Sequence, residues 1–289
     1  MQLRSPLLNV MTLAALKAAK GLIRDFGELE NLQVSKKGPA DFVSKADRRA
    51  ERTLRTELSK ARPAFGLLME ETGAVAGSDT SNRWIVDPLD GTTNFLHGIP
   101  HFAISIAVER DGEPFAGVIY SPIQDEMYAA ERGSGAFLNG RRLRVSGRRR
   151  LEESLFATGI PFLGLADHAL FLRQLSAVMA VASGVRRFGS AALDLAYVAA
   201  GRYDGYWENG LNPWDIAAGI VLVREAGGFV TDLSGGRRMF SGGGVLATNT
   251  ALHQDLMRLV GAASVSAAAA PQDPSSSRVE WSKLDSAGS

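Results

Sequence analysis

The segment Trp84-Ile85-Val86-Asp87-Pro88-Leu89-Asp90-Gly91-Thr92-Thr93-Asn94-Phe95 joins an apolar strand to an acidic turn. Its apolar start predicts a short buried strand, which ends in two aspartates, Asp87 and Asp90. Gly91 then permits a tight turn, and Thr92 follows it. Such a turn can direct both carboxylates and the Leu89 carbonyl to one point. Hard divalent cations prefer this ligand set of mostly anionic oxygens.

The turn also has a purely structural interpretation. Asp-Pro and Asp-Gly pairs are common in turns, and threonines are common helix caps. If a helix begins after Gly91, however, its free N–H groups face the same point and suit a phosphate. The segment alone leaves both interpretations open.

Two further segments carry acids at the ends of predicted elements. Glu70 and Glu71 follow a short apolar run at residues 65–68. Two acids there are costly to desolvate together without a cation, although a solvated loop is the simpler interpretation. Asp215 stands at the head of the apolar helix in Trp214-Asp215-Ile216-Ala217-Ala218-Gly219, where the helix dipole alone favours an acid.

Asp47 lies three residues after Ser44 near the start of a predicted helix at residues 44–61. The preceding segment, residues 38–41, is predicted to be a loop. The Ser-x-x-Asp spacing is typical of a capping box with Asp in place of Glu, so capping is the simplest role for Asp47.

Composition excludes several classes of chemistry. The chain has 289 residues, 45% of them hydrophobic, and 32 Lys and Arg against 31 Asp and Glu. This balance gives no bulk reason to expect nucleic acid or a membrane surface as partner. The absence of cysteine excludes disulfides, Cys-ligated zinc, iron–sulfur clusters and a thiol nucleophile. The composition is consistent with a cytoplasmic protein.

The N-terminal segment predicts an amphipathic helix that packs on a domain. Ser5-Pro6 resembles a helix start, and apolar residues then recur at spacings of three and four from Leu8 to Phe26. Residues 7–16 could pass for the apolar part of a signal sequence, but no small-residue cleavage site follows. We expect no segment apolar enough to cross a membrane, which takes roughly 20 residues.

Helical and strand patterns alternate irregularly along the chain, which predicts an α+β fold in layers. Asp111-Gly112 between two strand patterns predicts an antiparallel hairpin. We assign residues 1–260 to one catalytic domain. Residues 261–289 are rich in Ala and Ser without an apolar period, so we expect a disordered tail.

The acidic segments occur together in an order that resembles the inositol monophosphatase family of magnesium-dependent, lithium-sensitive sugar phosphatases. The resemblance runs from about residue 8 to residue 260 and rests on segments 84–95, 214–219, 70–71 and 43–47. One departure is Met69, where the family often has Gly. The resemblance implies a layered αβαβα fold with mixed and antiparallel sheets, often a homodimer, and hydrolysis of phosphate monoesters by water activated by two or three Mg²⁺ ions.

Residue roles follow from the resemblance by position. The implied first metal is held by Glu70, Asp87 and the Leu89 carbonyl, and the second by Asp87, Asp90 and Asp215. A third, weaker metal would lie between Glu70 and water near Asp47. Glu70 and Thr92 would orient the nucleophilic water, and the amides of Gly91 and Thr92 would bind phosphate. The implied sugar-pocket residues are Asp90, Gly189, Ser190, Ala191, Glu208 and Asp215.

The motifs that carry the resemblance do not distinguish between several phosphate-ester substrates. Glu208 suits a neutral polyol group, such as the inositol ring of inositol 1-phosphate. Arg186 and Arg187 could instead serve a second phosphate. Histidinol phosphate, fructose 1,6-bisphosphate and a nucleotide 3′-phosphate are therefore alternatives. An added RNA or transcription-complex role is an alternative, with a surface at Arg141, Arg142, Arg144, Arg148, Arg149 and Arg150, although a solvated loop is the simpler interpretation of those residues.

Overall fold

The acidic segment at residues 84–95 lies within a large mixed sheet. The computed structural model describes residues 5–32, 39–161, 168–242 and 244–265. The strands of this sheet are β1 (Phe65–Met69), β2 (Gly73–Val75), β3 (Asp79–Asp90), β4 (Ala103–Arg110), β5 (Glu113–Ser121), β6 (Glu126–Glu131), β7 (Gly135–Leu138) and β8 (Arg141–Arg142). Their spatial order is β2-β1-β3-β4-β5-β6-β7-β8; β1 pairs with β3 in parallel, and the other pairs are antiparallel.

A second, smaller sheet follows in the chain. Its strands are β9 (Leu155–Thr158), β10 (Gly184–Arg186), β11 (Gly205–Asn209), β12 (Phe229–Thr231) and β13 (Gly244–Thr248). They lie in the order β10-β9-β11-β13-β12, with β9 parallel to both of its neighbours and β13 antiparallel to both of its own.

Helices cover and separate the two sheets. They are α1 (Pro6–Leu32), α2 (Pro39–Ala61), α3 (Thr92–Leu96), α4 (His168–Met179), α5 (Ala191–Ala199), α6 (Pro213–Glu225), α7 (Met239–Gly242) and α8 (His253–Val265), with a 3₁₀ turn at Leu151–Glu153. Helices α1 and α2 pack on the outer face of the large sheet, α5 and α6 between the sheets, and α4 and α8 on the outer face of the small sheet. The predicted αβαβα layering is confirmed.

Close packing fixes α6 against the large sheet. A Cβ atom on Gly117 of β5 would lie 2.6 Å from the Ala218 carbonyl oxygen of α6. A Cβ on Gly219 would lie 2.4 Å from the Leu195 side chain of α5. Because side chains at these glycines would push the layers apart, the glycines let α6 bring its first turn, with Asp215, to the sheet.

The Asp111-Gly112 hairpin is confirmed between β4 and β5. Both turn residues have positive φ, 52° and 78°. These are the dihedrals that a tight antiparallel hairpin requires, and Asp-Gly adopts them at low cost.

The prediction for the start of α2 is wrong. The helix begins at Pro39, five residues before the predicted start at Ser44. Proline is favoured in the first helical turn because it needs no N–H partner there. Ser44 therefore lies inside the helix and cannot cap it, so the capping role for Asp47 is also wrong. Gly38 of the predicted loop lies outside the described residues.

The expectation that no segment is apolar enough to span a membrane needs correction. By length and composition, the part of α1 from Pro6 to Glu28 is such a segment. Half of it is buried within the protein, where Met11, Ala15 and Leu22 pack in the core shared with α2 and the large sheet. The predicted amphipathic packing of this helix is therefore present.

The C-terminal boundary lies beyond the predicted one. Helix α8 is described through Val265, past residue 260. Leu256 and Val260 pack in the core of the small sheet, and Ala263 is also buried, which extends the packed part of the chain past the predicted boundary. The remaining residues of the predicted tail, 266–289, lie outside the described residues.

Candidate active site

The turn after β3 is shaped by hydrogen bonds within the acidic segment. The Leu89 N–H donates to Asp87 Oδ1 at 2.8 Å, and the Thr92 hydroxyl donates to the Leu89 carbonyl at 3.0 Å. Gly91 adopts φ +98°, and a Cβ there would meet the His101 carbonyl oxygen at 3.0 Å. Only glycine fits this position well, and α3 begins directly after it, which meets the condition stated for a phosphate-binding turn.

Asp90 is held by the start of α5. The Ser190 hydroxyl and the Ala192 N–H both donate to Asp90 Oδ2, the latter at 2.8 Å. Ser190 also caps α5, because its side chain accepts the Leu193 N–H. The preceding Gly189 has φ +80°, which turns the chain into the helix. The predicted pocket residues Gly189, Ser190 and Ala191 therefore lie beside the acidic turn.

Asp215 reaches the same region from the first turn of α6. Its carboxylate accepts the Asn212 N–H at 2.7 Å in a reciprocal capping box. Asp215 therefore also serves its own helix start, where the dipole favours an acid, and this bond fixes the side chain whose pKa the charges of Asp90 and Glu70 raise.

Glu70 follows β1 on a loop that a buried acid of α2 supports. Glu51 accepts the Glu71 N–H at 2.9 Å and the Thr72 hydroxyl. The Glu70 N–H donates to the Val86 carbonyl of β3 at 3.3 Å, so the loop stays beside the acidic turn. The Glu70 residue as a whole is exposed to solvent, yet desolvation of its carboxylate raises the pKa.

Asp47 lies below this loop and is 3% exposed. Burial, followed by the charges of Glu70, Glu71 and Glu51, raises the pKa of Asp47 to about 8. Among the described residues, its Oδ1 atom has no hydrogen-bond partner. The structure thus places Asp47 beside Glu70, where the resemblance implies a third, weaker metal.

The carboxylates of the four segments act on one another electrostatically. Burial, and then the charges of Glu70, Asp90 and Asp215, raise the pKa of Asp87 well above its usual range. Burial, and then Asp90, raise the pKa of Asp215 to about 8, while burial raises the pKa of Asp90 to about 6 despite its hydrogen bonds. Burial and the charge of Asp90 raise the pKa of Glu70, which Asp87 in turn lowers.

These side chains meet the chemical requirements of a divalent cation. All of their donor atoms are oxygen. Burial raises the pKa of Asp87, Asp90 and Asp215, and neighbouring acids raise it further for Asp87 and Asp215, with no Lys or Arg among the causes. Within the described residues, no three His, Asp or Glu side chains are already arranged to hold an ion. Mutual repulsion separates like charges, so a cation would draw these carboxylates together.

Glu208 on β11 lies near enough to Asp90 for the charge of Asp90 to raise its pKa. Burial raises the pKa of Glu208 to about 7, partly offset by the Tyr206 hydroxyl, which donates to the carboxylate. Arg187 lowers the pKa of both Glu208 and the buried Asp194. A Cβ atom on Gly159 would lie 1.9 Å from the Glu208 carboxylate, so the absence of a side chain there makes room for it.

Several supporting residues were missed in the sequence. Besides Glu51, Gly159 and Asp194, the structure adds Asn94, whose side-chain amide donates to the carbonyls of His101 at 2.8 Å and Phe188 at 2.7 Å. Asn94 thereby ties the acidic segment to the loop before Gly189. Its place directly after the two threonines was the only available signal.

The match to a family of phosphatases places the chain in a class of hydrolases that cleave phosphate esters. The chain belongs to the inositol monophosphatase family, whose sequence model matches residues 3–265.

The most similar relatives carry two kinds of name. An inositol-1-monophosphatase of Mesorhizobium japonicum is 62% identical over 89% of this chain and 97% of the relative. The Nus factor SuhB of Pseudomonas aeruginosa is 44% identical over 88% of this chain and 96% of its own. A crystal structure of the extragenic suppressor protein suhB of Bartonella henselae is 60% identical over 89% of this chain and 98% of its own, with a TM-score of 0.83.

Proposed function

We propose that the chain is a Mg²⁺-dependent phosphomonoesterase that hydrolyses inositol 1-phosphate to inositol and phosphate. The observation that carries this proposal is the convergence of Glu70, Asp87, Asp90 and Asp215, which come from three separate segments. Burial is the largest cause of their raised pKa values, and the charges of neighbouring acids of this group raise those of Glu70, Asp87 and Asp215 further. Such a grouping is unfavourable for a protein alone and useful to one that binds cations.

The proposed metal ligands keep the positions that the resemblance implies. Glu70, Asp87 and the Leu89 carbonyl would hold one Mg²⁺, and Asp87, Asp90 and Asp215 a second, with a weaker ion near Asp47. Bound Mg²⁺ supplies positive charge that stabilises the phosphoryl oxygens and lowers the pKa of water. The hydrogen bonds of Asp90 and Asp215 orient these two carboxylates, and a bound cation would draw the other ligands toward them.

Other residues of the chain would position the ester and the water. The Thr92 hydroxyl is oriented by its bond to the Leu89 carbonyl, and with Glu70 it would orient the attacking water. The backbone N–H groups of Gly91 and Thr92 would bind the phosphate oxygens. This arrangement supplies charge and alignment, which are the main requirements of phosphoryl transfer.

The polyol side of the proposed substrate would lie between α5 and β11. Glu208 would accept hydrogen bonds from ring hydroxyls, and the Ser190 region would line the pocket. Arg187 already offsets the charges of Glu208 and Asp194, so it is not a spare cation for a second phosphate. This supports a neutral polyol over fructose 1,6-bisphosphate or a nucleotide 3′-phosphate. Histidinol phosphate, whose amine would also suit Glu208, is the closest competitor.

Phosphate release from a substrate panel tests the proposal. With Mg²⁺, we expect inositol 1-phosphate to give a higher kcat/KM than histidinol phosphate, fructose 1,6-bisphosphate and adenosine 3′,5′-bisphosphate. A bisphosphate as the best substrate would contradict the assigned pocket. Millimolar lithium is expected to inhibit the reaction; insensitivity would remove that family property without removing the phosphatase assignment.

The assembly and location of the protein are part of the same proposal. A homodimer is expected, and light scattering during gel filtration measures it. A cytoplasmic location is expected from the lack of cysteine, and cell fractionation tests it.

A second candidate role is association with a transcription complex. It is favoured by the 44% identical relative named a Nus factor. The arginines at residues 141–150 give this role little support as an RNA-binding surface, because two of them are already paired with acids. Arg148 pairs with the buried Asp204, and Arg150 pairs with Glu152 and Glu153. Salt-dependent binding of RNA to the protein, lost on removing Arg141 and Arg149, would support this role.

A further inference from the structure

A second polar cavity lies at the end of α6 that is remote from the carboxylates. Its volume is about 570 Å³, within the range of small-molecule sites. Three arginines, Arg132, Arg224 and Arg237, line it together with one acid, Glu113. Asp215 lies in the first turn of α6 and Arg224 in its last turn. About 14 Å of helix therefore separate the cavity from the carboxylate site.

The turn that carries Arg132 is fixed from behind. Glu225 of α6 accepts the Gly133 N–H at 2.9 Å and the Gly135 N–H at 2.7 Å. Both carboxylate oxygens of Glu225 are thus used by the backbone, and Glu225 does not line the cavity. Arg132 is therefore presented by a braced turn between β6 and β7.

The loop that carries Arg237 is braced in the same way. Asp232, which is 7% exposed, accepts the N–H groups of Ser234 at 2.9 Å, Gly236 at 2.8 Å and Arg238 at 3.1 Å. These bonds close the chain after β12 into a compact loop beside the cavity. Two separate carboxylates thus hold two arginine-bearing loops against the end of one helix.

The cavity has an excess of positive charge. Arg224 is 3.6 Å from Glu113, while Arg132 and Arg237 make no ion pair within the described residues. The pKa of Arg224 is lowered by burial and by the charges of Arg132 and Arg237, although Glu113 opposes this. Arginines brought together against their own repulsion are typical of a site that receives an anion.

We propose that this cavity binds a phosphorylated small molecule with at least two adjacent negative charges, such as a diphosphate. Guanidinium groups from three elements can surround its oxygens with paired hydrogen bonds. Phe229, 50% exposed on the cavity wall, offers an apolar surface to the remainder of the ligand. The site is independent of the proposed hydrolysis, because none of its residues belongs to the carboxylate cluster.

Calorimetry with inorganic pyrophosphate tests the proposal. The full chain is titrated in EDTA at constant ionic strength, so that the metal-free acidic site repels the anion. The double variant Arg132→Gln/Arg237→Gln removes two cavity charges, and Arg52→Gln/Arg55→Gln removes two exposed charges from α2 as the matched control. We expect the cavity variant to bind at least tenfold more weakly, and the control to bind like the parent chain.

The outcomes separate this site from the catalytic one. Equal affinity in the two variants, or no binding by the parent chain at millimolar pyrophosphate, would overturn the proposal. So would a single-stranded RNA that binds through these arginines while pyrophosphate does not. Phosphate release by Arg132→Gln/Arg237→Gln with Mg²⁺ should match the parent chain, so a failed substrate panel leaves this test intact.

Discussion

Ser190 donates its hydroxyl hydrogen to Asp90 across 100 residues of chain. This bond joins the start of α5, in the middle layer, to the acidic turn at the end of β3. The Ala192 N–H adds a second bond to the same oxygen at 2.8 Å. Asp90 is therefore oriented by the packing of two layers and not by its own turn alone. The same residue belongs to both the proposed polyol pocket and the proposed metal site.

Substitution of Asp90 tests the catalytic assignment. In Asp90→Asn the amide oxygen can still accept from Ser190 and Ala192, so the fold should remain while the anionic ligand is lost. We expect phosphate release with Mg²⁺ to fall to background and the thermal midpoint in EDTA to stay the same or rise. Asp255→Asn, on the surface of α8, is the control that should keep full activity. Normal turnover by Asp90→Asn would show the metal assignment to be wrong.

Mg²⁺ should stabilise the folded chain. Because the unfolded chain cannot assemble the four acids, binding adds RT ln(1 + [L]/Kd) to the free energy of unfolding, about 2.7 kcal/mol at a hundredfold excess over Kd. Thermal melting in EDTA and in millimolar Mg²⁺ measures the difference. An identical midpoint in both conditions counts against the site.

The support that Glu51 gives to the Glu70 loop can be removed separately. In Glu51→Ala the Glu71 N–H and the Thr72 hydroxyl lose their acceptor, so the loop should loosen. We expect roughly 10–100-fold weaker Mg²⁺ affinity, read from the Mg²⁺ concentration at half-maximal activity. Glu57→Ala, one surface ion pair on the same helix, should change that concentration little. Equal effects of the two variants would contradict the supporting role.

Gly159 provides a test of the polyol pocket. In Gly159→Ala the new methyl group must displace the Glu208 carboxylate, which is the far end of a side chain, so the fold should accommodate it. We expect KM for inositol 1-phosphate to rise more than kcat falls. Gly147→Ala, where a Cβ would meet open space, is the matched control. An unchanged KM would remove Glu208 from the pocket.

The metal-free protein should lose stability as pH rises. The folded-state pKa values of about 6 for Asp90, 7 for Glu208 and 8 for Asp215 all exceed the ordinary values near 4. Between about pH 4 and pH 8 the folded chain therefore binds more protons than the unfolded chain, and its free energy of unfolding falls with pH. Melting in EDTA across this range measures the slope. Saturating Mg²⁺ should flatten it, because the cation stabilises the ionised carboxylates; the same slope with and without Mg²⁺ would count against metal binding.

Local chemistry explains which predictions from sequence were accurate. The Asp111-Gly112 hairpin depends on the φ angles of two adjacent residues, which residue type restricts directly. The start of α2 was misplaced because Ser44 carried a cap pattern inside a helix that Pro39 had already begun. Pro39 and Ser44 each carry a typical signal for a helix start, and the sequence alone did not show which of them begins α2.

The amino-acid sequence by itself determined the class of fold and the family, and it predicted the acids of the proposed metal site, because residue type and the order of short motifs carry these signals. Only the tertiary structure decided what supports them. Glu51, Gly159 and Asn94 act on atoms at least 7 residues away in the chain, through layers that pack in three dimensions. The second cavity likewise depends on loops that converge only after folding, since no spacing in the sequence places Arg132 beside Arg237.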